Sequence, residues 1–463
     1  MTGRLRGLAI DTRPLRHRDY RRLFIGQGVS FVGFQVTAVA VPVQVYDISR
    51  SSFWVGILGL VGLLPLIVFG LWGGAVADAV DRRMLLLVSA TLTWLVTLGL
   101  LAQAVLGLDS LGLILGLVAV QSAAFAVASP TRNAILPRLL SRAEVPAANT
   151  LNFTVTNVGT VAGPLLAGVI IARWGGFPVA YATDAVLFTV ALYAALRLPP
   201  LPPLAAASAL TRPGLRSVVD GLRFIAGRPV LLMSFGVDII AMVFAMPRAL
   251  FPEVSSERFG GEGAVGWLFA AISIGAVLGG LSSGWIGRVR RQGVALTCAI
   301  VGWGTAVALA GLGRTLWITV ALLAVAGAAD LVSSVLRQTI LQVYAPDEMR
   351  GRLQGVFVVV VAGGPRLGDL RAGATAAVAG ATLSWVAGGI ASVVLVLVAA
   401  ALVPAFRHYD AAAHRASVDP PPDLEEPLVG TPEDPATGEP IKPTLSPLTA
   451  DDTALRDTTP SDR

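Results

Sequence analysis

Twelve apolar runs of about 20 residues recur between Leu23 and Val403, each the length that crosses a bilayer as a helix. No other feature narrows the fold as far. Backbone inside lipid finds no water, so a spanning segment must close its hydrogen bonds internally, as a helix does. Buried strands of a soluble α/β protein run only about 4–8 residues, which excludes that fold. The chain is 54% hydrophobic and 14% charged, with a mean hydropathy of +0.72. A soluble chain would carry about a quarter charged residues. We expect an all-α polytopic membrane protein with helices over 23–47, 52–76, 84–106, 111–135, 148–172, 178–198, 229–250, 264–287, 293–312, 316–342, 353–374 and 383–404.

The arginines order these spans. If residue 1 starts on the inner side, 22 arginines fall on that side or at its helix ends and 6 on the other. Cytoplasmic loops carry the excess of positive charge, so both termini are expected in the cytoplasm of a multi-pass cell (plasma or inner) membrane protein. Residues 1–22 form a basic cytoplasmic N-terminus. It holds no short apolar stretch of the kind that is cleaved after secretion. Six spans occupy 23–198, a Pro-rich cytoplasmic linker 199–228, and six more spans 229–406. The tail, 407–463, holds 12 acidic and 5 basic residues and few apolar ones, so it is expected to be disordered.

Several chemistries are excluded. There is one cysteine, Cys298, and the three histidines (His17, His408, His414) lie outside the apolar runs. No disulfide, cysteine metal site or intramembrane histidine relay follows. No G-xxxx-G-K-[ST] nucleotide loop, HExxH or G-x-S-x-G appears, so neither an ATP-driven pump nor an enzyme is indicated. The arginines set topology and do not form a nucleic-acid surface.

Between the second and third spans the sequence reads Gly73-Gly74-Ala75-Val76-Ala77-Asp78-Ala79-Val80-Asp81-Arg82-Arg83. Gly74, Asp78 and Arg82 are echoed 206 residues later by Gly280, Gly284 and Arg288. Arg132-Asn133-x-Ile135-Leu136 is echoed 205 residues later by Arg337-Gln338-x-Ile340-Leu341. The shared offset indicates duplication of a six-helix unit. In the second copy Gly284 replaces the aspartate.

The fifth span carries Asn149, Asn152, Thr156, Gly159 and Gly163 on one face, then Pro164 and Gly168. Such a stripe of small residues lets helices pack closely in lipid. Ionisable residues at membrane depth are costly and default to functional candidates. These are Asp238, Asp330, Arg366 and Asp369, the last two on one face of the eleventh span. Gln35 and Gln121 offer uncharged hydrogen-bonding groups to a cavity; interhelical hydrogen bonds would account for them equally well.

These segments, with Pro14–Tyr46, Ser129–Pro137, Met246–Pro252 and Gly363–Asp369, resemble the major facilitator superfamily of transporters. They are nearest its bacterial drug:proton antiporter branch, that of the enterobactin exporter and macrolide efflux proteins. The resemblance covers about residues 14–405. It implies two pseudo-symmetric six-helix bundles around a central cavity, working as a monomer. It implies that Gly74, Asp78, Arg82 and Arg83 form a gating motif, with Asp78 facing a helix N-terminus of the other half. It implies that Gly159, Gly163, Pro164 and Gly168 form the fifth-helix antiporter motif, with Ala167 in place of one glycine. It further implies proton-coupled efflux of a small organic molecule (drug, macrolide, siderophore or other secondary metabolite), with no cofactor and the proton gradient as energy source. Asp238 or Asp330 would carry the proton and Arg366 would be its charge partner. A facilitator of lipids or nutrients, or a transporter-fold membrane sensor, are the alternatives.

Overall fold

The structure is a computed structural model that describes residues 11–202, 215–261, 263–344 and 349–410, with the side chains of 71–79, 215–218, 350–351 and 358 outside that description. Twelve helices are long and apolar enough to cross a membrane. The first six are α1 (Arg18–Ser49), α2 (Ser52–Ala79), α3 (Arg82–Val105), α4 (Leu111–Leu139), α5 (Val145–Arg173) and α6 (Gly176–Leu196). The second six are α7 (Pro229–Ala245), α8 (Gly263–Leu281), α9 (Gln292–Gly311), α10 (Leu316–Tyr344), α11 (Arg350–Ala379) and α12 (Ala381–Leu402). Among the described residues the only β pairing is an isolated bridge between Arg291 and Asp410.

Short connections make successive helices antiparallel. Arg50 closes α1 in the left-handed conformation (φ 50°), and α2 starts two residues later. Ser110 caps α4 by accepting a hydrogen bond from the Leu113 amide. Asp81 caps α3, accepting from the amides of Arg83 and Met84. Each cap satisfies donors that a helix start leaves open. We call the side where α1 begins the near side and the opposite one the far side.

The halves meet through two helix pairs, α2 with α11 and α5 with α8. Both seams are backbone against backbone at the far side. A Cβ on Gly56 would meet the Asp369 carbonyl at 2.7 Å, and one on Gly373 would run into the Ser52 carbonyl. A Cβ on Gly168 would stand 3.0 Å from the Cα of Gly266, and one on Gly266 2.5 Å from the Pro164 carbonyl. Tyr46 donates to Glu257 at 3.0 Å and Ser52 donates to Glu253, both between halves and both on the far side. Nearer the other side, a Cβ on Gly70 of α2 or Gly355 of α11 would meet nothing within 4 Å.

Two expected helices end early. The helix expected over 229–250 breaks at Ala245, because Pro247 pushes Met246 into extended backbone (ψ 114°), although the apolar span runs on to Arg258. A 3₁₀ turn, Arg248–Leu250, and a short helix, Phe251–Arg258, follow, the latter with Pro252 in its first turn where a missing N–H costs nothing. The span expected over 264–287 stops at Leu281 and gives way to a 3₁₀ turn at Ser283–Arg288.

The expected linker contains a helix, Leu215–Ala226. Its Gly221 approaches the Arg352 carbonyl of α11, Asp220 pairs with Arg352 at 3.6 Å, and the Arg228 guanidinium lies 3.5 Å over the Phe224 ring. Linker residues 203–214 lie outside the described residues. So does the expected disordered tail beyond Asp410. Before it, Phe406 is fully buried against Gly293 of α9.

Candidate functional site

Between the halves lies a cavity of about 450 Å³. The broken end of α7 builds one wall. The 3₁₀ turn there brings the exposed Arg248 into the lining, and the Ala249 amide donates to Asp369 Oδ1 at 3.1 Å. α11 supplies Arg366 and Asp369, and Gly59 of α2 faces the Arg366 backbone. A second cavity of about 330 Å³ adjoins it, sharing Ala38, Pro42, Leu58, Leu66, Phe125 and Arg366. Gln121 lines it too. Its side chain is buried, and its Nε2 has no hydrogen-bond partner among the described residues. Phe34 and Phe125 stack across the cavity wall with centroids 5.9 Å apart.

Two further cavities, the first sharing lining residues with these and the second with the first, lie toward the near side. Phe34, Gln121 and Phe125 also line a constriction of about 30 Å³, together with Arg132. Arg132 then borders a polar cavity of about 290 Å³ between α1, α4 and α5, with Gln27, Asn149, Asn152 and Thr156 in its wall. The Asn-Asn-Thr stripe of α5 therefore faces a void. The sequence counted Arg132 among the charges at the inner end of a fourth span expected over 111–135. Instead α4 extends to Leu139 and carries Arg132 about two turns inside.

The sequence-predicted carboxylates separate into two groups. Asp369 belongs to the central cavity. Asp238 of α7 is buried and ion-paired with Arg337 of α10, whose other guanidinium nitrogen lies 3.9 Å from Asp330. Asp330 is about a third exposed, Asp238 and Arg337 almost not at all. Arg337, not Arg366, is thus the cation beside both aspartates. The sequence showed Arg337 only as the echo of Arg132.

Other polar groups serve packing. Gln35 sits at the α1–α5 crossing, where the missing Cβ of Gly163 makes room for it, and Gly159 receives the Phe31 ring. Gln44 and Gln103 exchange hydrogen bonds (3.3 and 2.9 Å), and Tyr181 donates to Gln44 at 2.7 Å. Asp184 of α6 is buried and accepts from Thr37 at 2.6 Å and Thr97 at 3.4 Å. Gly168, further along the fifth-helix motif, forms the seam with α8.

The charged loop between α2 and α3 ties the first half together at the near side. Asp81 also accepts from the Leu201 amide, and the Arg82 amide donates to the Leu201 carbonyl at 3.1 Å. The Arg82 guanidinium donates to the Ala134 carbonyl at 3.3 Å and that of Arg83 to the Leu196 carbonyl at 2.9 Å. Two cations thus sit at the C-terminal ends of α4 and α6, where the helix dipole favours them. Gly74 and Asp78 stand in the final turns of α2, and their side-chain environment lies outside the described residues.

Residues 10–439 match the transmembrane secretion effector family, a branch of the major facilitator superfamily. The chain belongs to this family. The enterobactin exporter EntS of Escherichia coli (strain K12) is 28% identical over 398 residues, which span 85% of this chain and 94% of the exporter. The nucleoside transporter NupG has the same fold, with a TM-score of 0.69 at 14% identity over 83% of this chain and 99% of that one. A bacterial homologue of the lysosomal transporter Spinster, solved inward-facing and unoccupied, gives a TM-score of 0.64 at 17% identity over 89% of this chain and all of that one. The protein is a multi-pass membrane transporter of the secondary class and not an enzyme.

Proposed function

We propose that this chain exports a small organic molecule of siderophore type by alternating access, driven by protons that enter as the cargo leaves. The observation that carries the coupling is the Asp238–Arg337–Asp330 group. Two carboxylates share one guanidinium, which leaves one negative charge uncompensated within α7 and α10. One proton neutralises it. Asp330, partly exposed and at the edge of ion-pair distance, is the carboxylate that exchanges; Asp238, enclosed with Arg337, stays ionised. With both termini in the cytoplasm, as the arginine distribution indicates, the far-side seams close the extracellular side and the chain of cavities faces inward. Asp78 belongs to the gate that closes the cytoplasmic side in the opposite state. The identity to an enterobactin exporter along most of both chains supports the direction and cargo class.

Proteoliposomes loaded with enterobactin, with an acid bath outside, test this. Wild type should lose cargo faster when the gradient is imposed. Asp330→Asn should release it at a rate indifferent to pH, and Asp78→Asn should not transport although it reaches the membrane. Full pH stimulation in both Asp330→Asn and Asp238→Asn would place the proton elsewhere.

A further inference from the structure

The duplicated arginines have opposite surroundings. Arg337 is enclosed by two carboxylates. Arg132, its counterpart 205 residues earlier, has no hydrogen bond or ion pair among the described residues and borders two voids. An unpaired guanidinium at membrane depth costs several kcal/mol unless it meets water or a ligand. Further along α4 an amide donor is also open, since Gln121 Nε2 has no partner among the described residues and lines the same small cavity. Gln121 and Arg132 lie eleven residues, about three turns, apart and so share one face of α4.

The charge balance along the void has the same sign. From the near side to the far side the charged lining residues are Arg132, Arg366, Arg248 and Asp369. Three guanidiniums face one carboxylate, and Asp369 already accepts the Ala249 amide. Asp184 accepts hydrogen bonds from Thr37 and Thr97 and is absent from these linings. Between the arginines the walls are aromatic, with Phe31, Phe34, Phe125 and Phe188 around the constriction.

We propose that the cargo is an anion with an aromatic body, and that Arg132 anchors its negative group in the first half, with Gln121, three turns along the same face, open to a polar group on that body. This rests on the transport reading and adds to it a charge and an anchor. A carboxylate, phenolate or sulfonate fits the arginine equally. A cationic molecule does not, because it would meet three positive side chains and one carboxylate already engaged.

The test uses full-length purified protein in lipid nanodiscs and three probes with one ring system: 1-naphthoate, its neutral amide and 1-naphthylmethylammonium. Equilibrium dialysis at low salt should show naphthoate binding at least about tenfold tighter than the amide, and the ammonium weakest, because a charge-assisted hydrogen bond is about twice as strong as a neutral one. Arg132→Gln should reduce the naphthoate-to-amide ratio to about one, and Arg132→Lys should keep most of it. If wild type binds the amide or the ammonium as well as naphthoate, the inference is overturned, whatever the variants do. A ratio that survives in Arg132→Gln would remove Arg132 as the anchor. Flux separates the two readings. Charge-selective binding without flux of naphthoate or enterobactin would overturn transport and leave the anion site standing. Flux of enterobactin with no charge selectivity would do the reverse.

Discussion

The sharpest expectation concerns Arg337. Its guanidinium is the one cation within ion-pair distance of both Asp238 and Asp330 among the described residues. Arg337→Gln strands a carboxylate that is about 4% exposed, and removing one partner of such a buried pair costs about 3–5 kcal/mol. Asp238→Asn costs less, about 1–3 kcal/mol, because Arg337 keeps Asp330 at 3.9 Å. Asp330→Asn, at a site about a third exposed, costs at most about 1 kcal/mol. The double change Asp238→Asn with Arg337→Gln removes opposite charges together, so it should be more stable than Arg337→Gln alone. Equilibrium unfolding in mixed dodecylmaltoside–SDS micelles, read by tryptophan fluorescence, ranks the four. Equal losses in the three single variants would refute the reasoning, as would a double variant weaker than Arg337→Gln.

Two further outcomes follow from the seams and caps. Asp81→Ala removes the cap of α3 together with its bonds to Leu201, so stability should fall by about 0.5–2 kcal/mol in the same unfolding assay, with Asp81→Ser retaining most of it. Gly266→Leu forces side-chain atoms into the Pro164 carbonyl and should part the far-side seam. In a Cys298→Ser background, a cysteine placed at the cavity residue Ala38 should then react faster with an impermeant maleimide added from the far side. Unchanged labelling in a well-folded variant would contradict the seam.

The spans were readable because the bilayer imposes a local rule: run length and backbone satisfaction decide them without any tertiary contact. Breaks at Pro247 were readable in principle, yet their result was not. Arg248 stood at the end of a span expected over 229–250, counted only as one of six arginines on the other side, and only the geometry of the 3₁₀ turn brings it into the cavity lining. The ion pair of Asp238 with Arg337 joins residues 99 apart in sequence, so spacing carried no sign of it. The echo of Arg132 by Arg337 was visible as duplication. That one copy is enclosed by carboxylates and the other is open depends on neighbours contributed by different helices. Gln35 and Gln121 looked alike on their helices; Gly163 lies against one, and a void against the other.

The glycine seams bear on speed rather than on equilibrium. Where two helices meet through interlocked side chains, sliding them apart requires rotamers to unlatch in concert, and that sets a barrier. Gly168 against Gly266 and Gly56 against the Asp369 carbonyl leave nothing to unlatch. At these points the surfaces act as a smooth bearing, with the Tyr46–Glu257 and Ser52–Glu253 hydrogen bonds as polar catches among the described residues. Opening the far side then parts two exchangeable polar contacts and a shared apolar core, without side chains having to cross at the glycine contacts themselves.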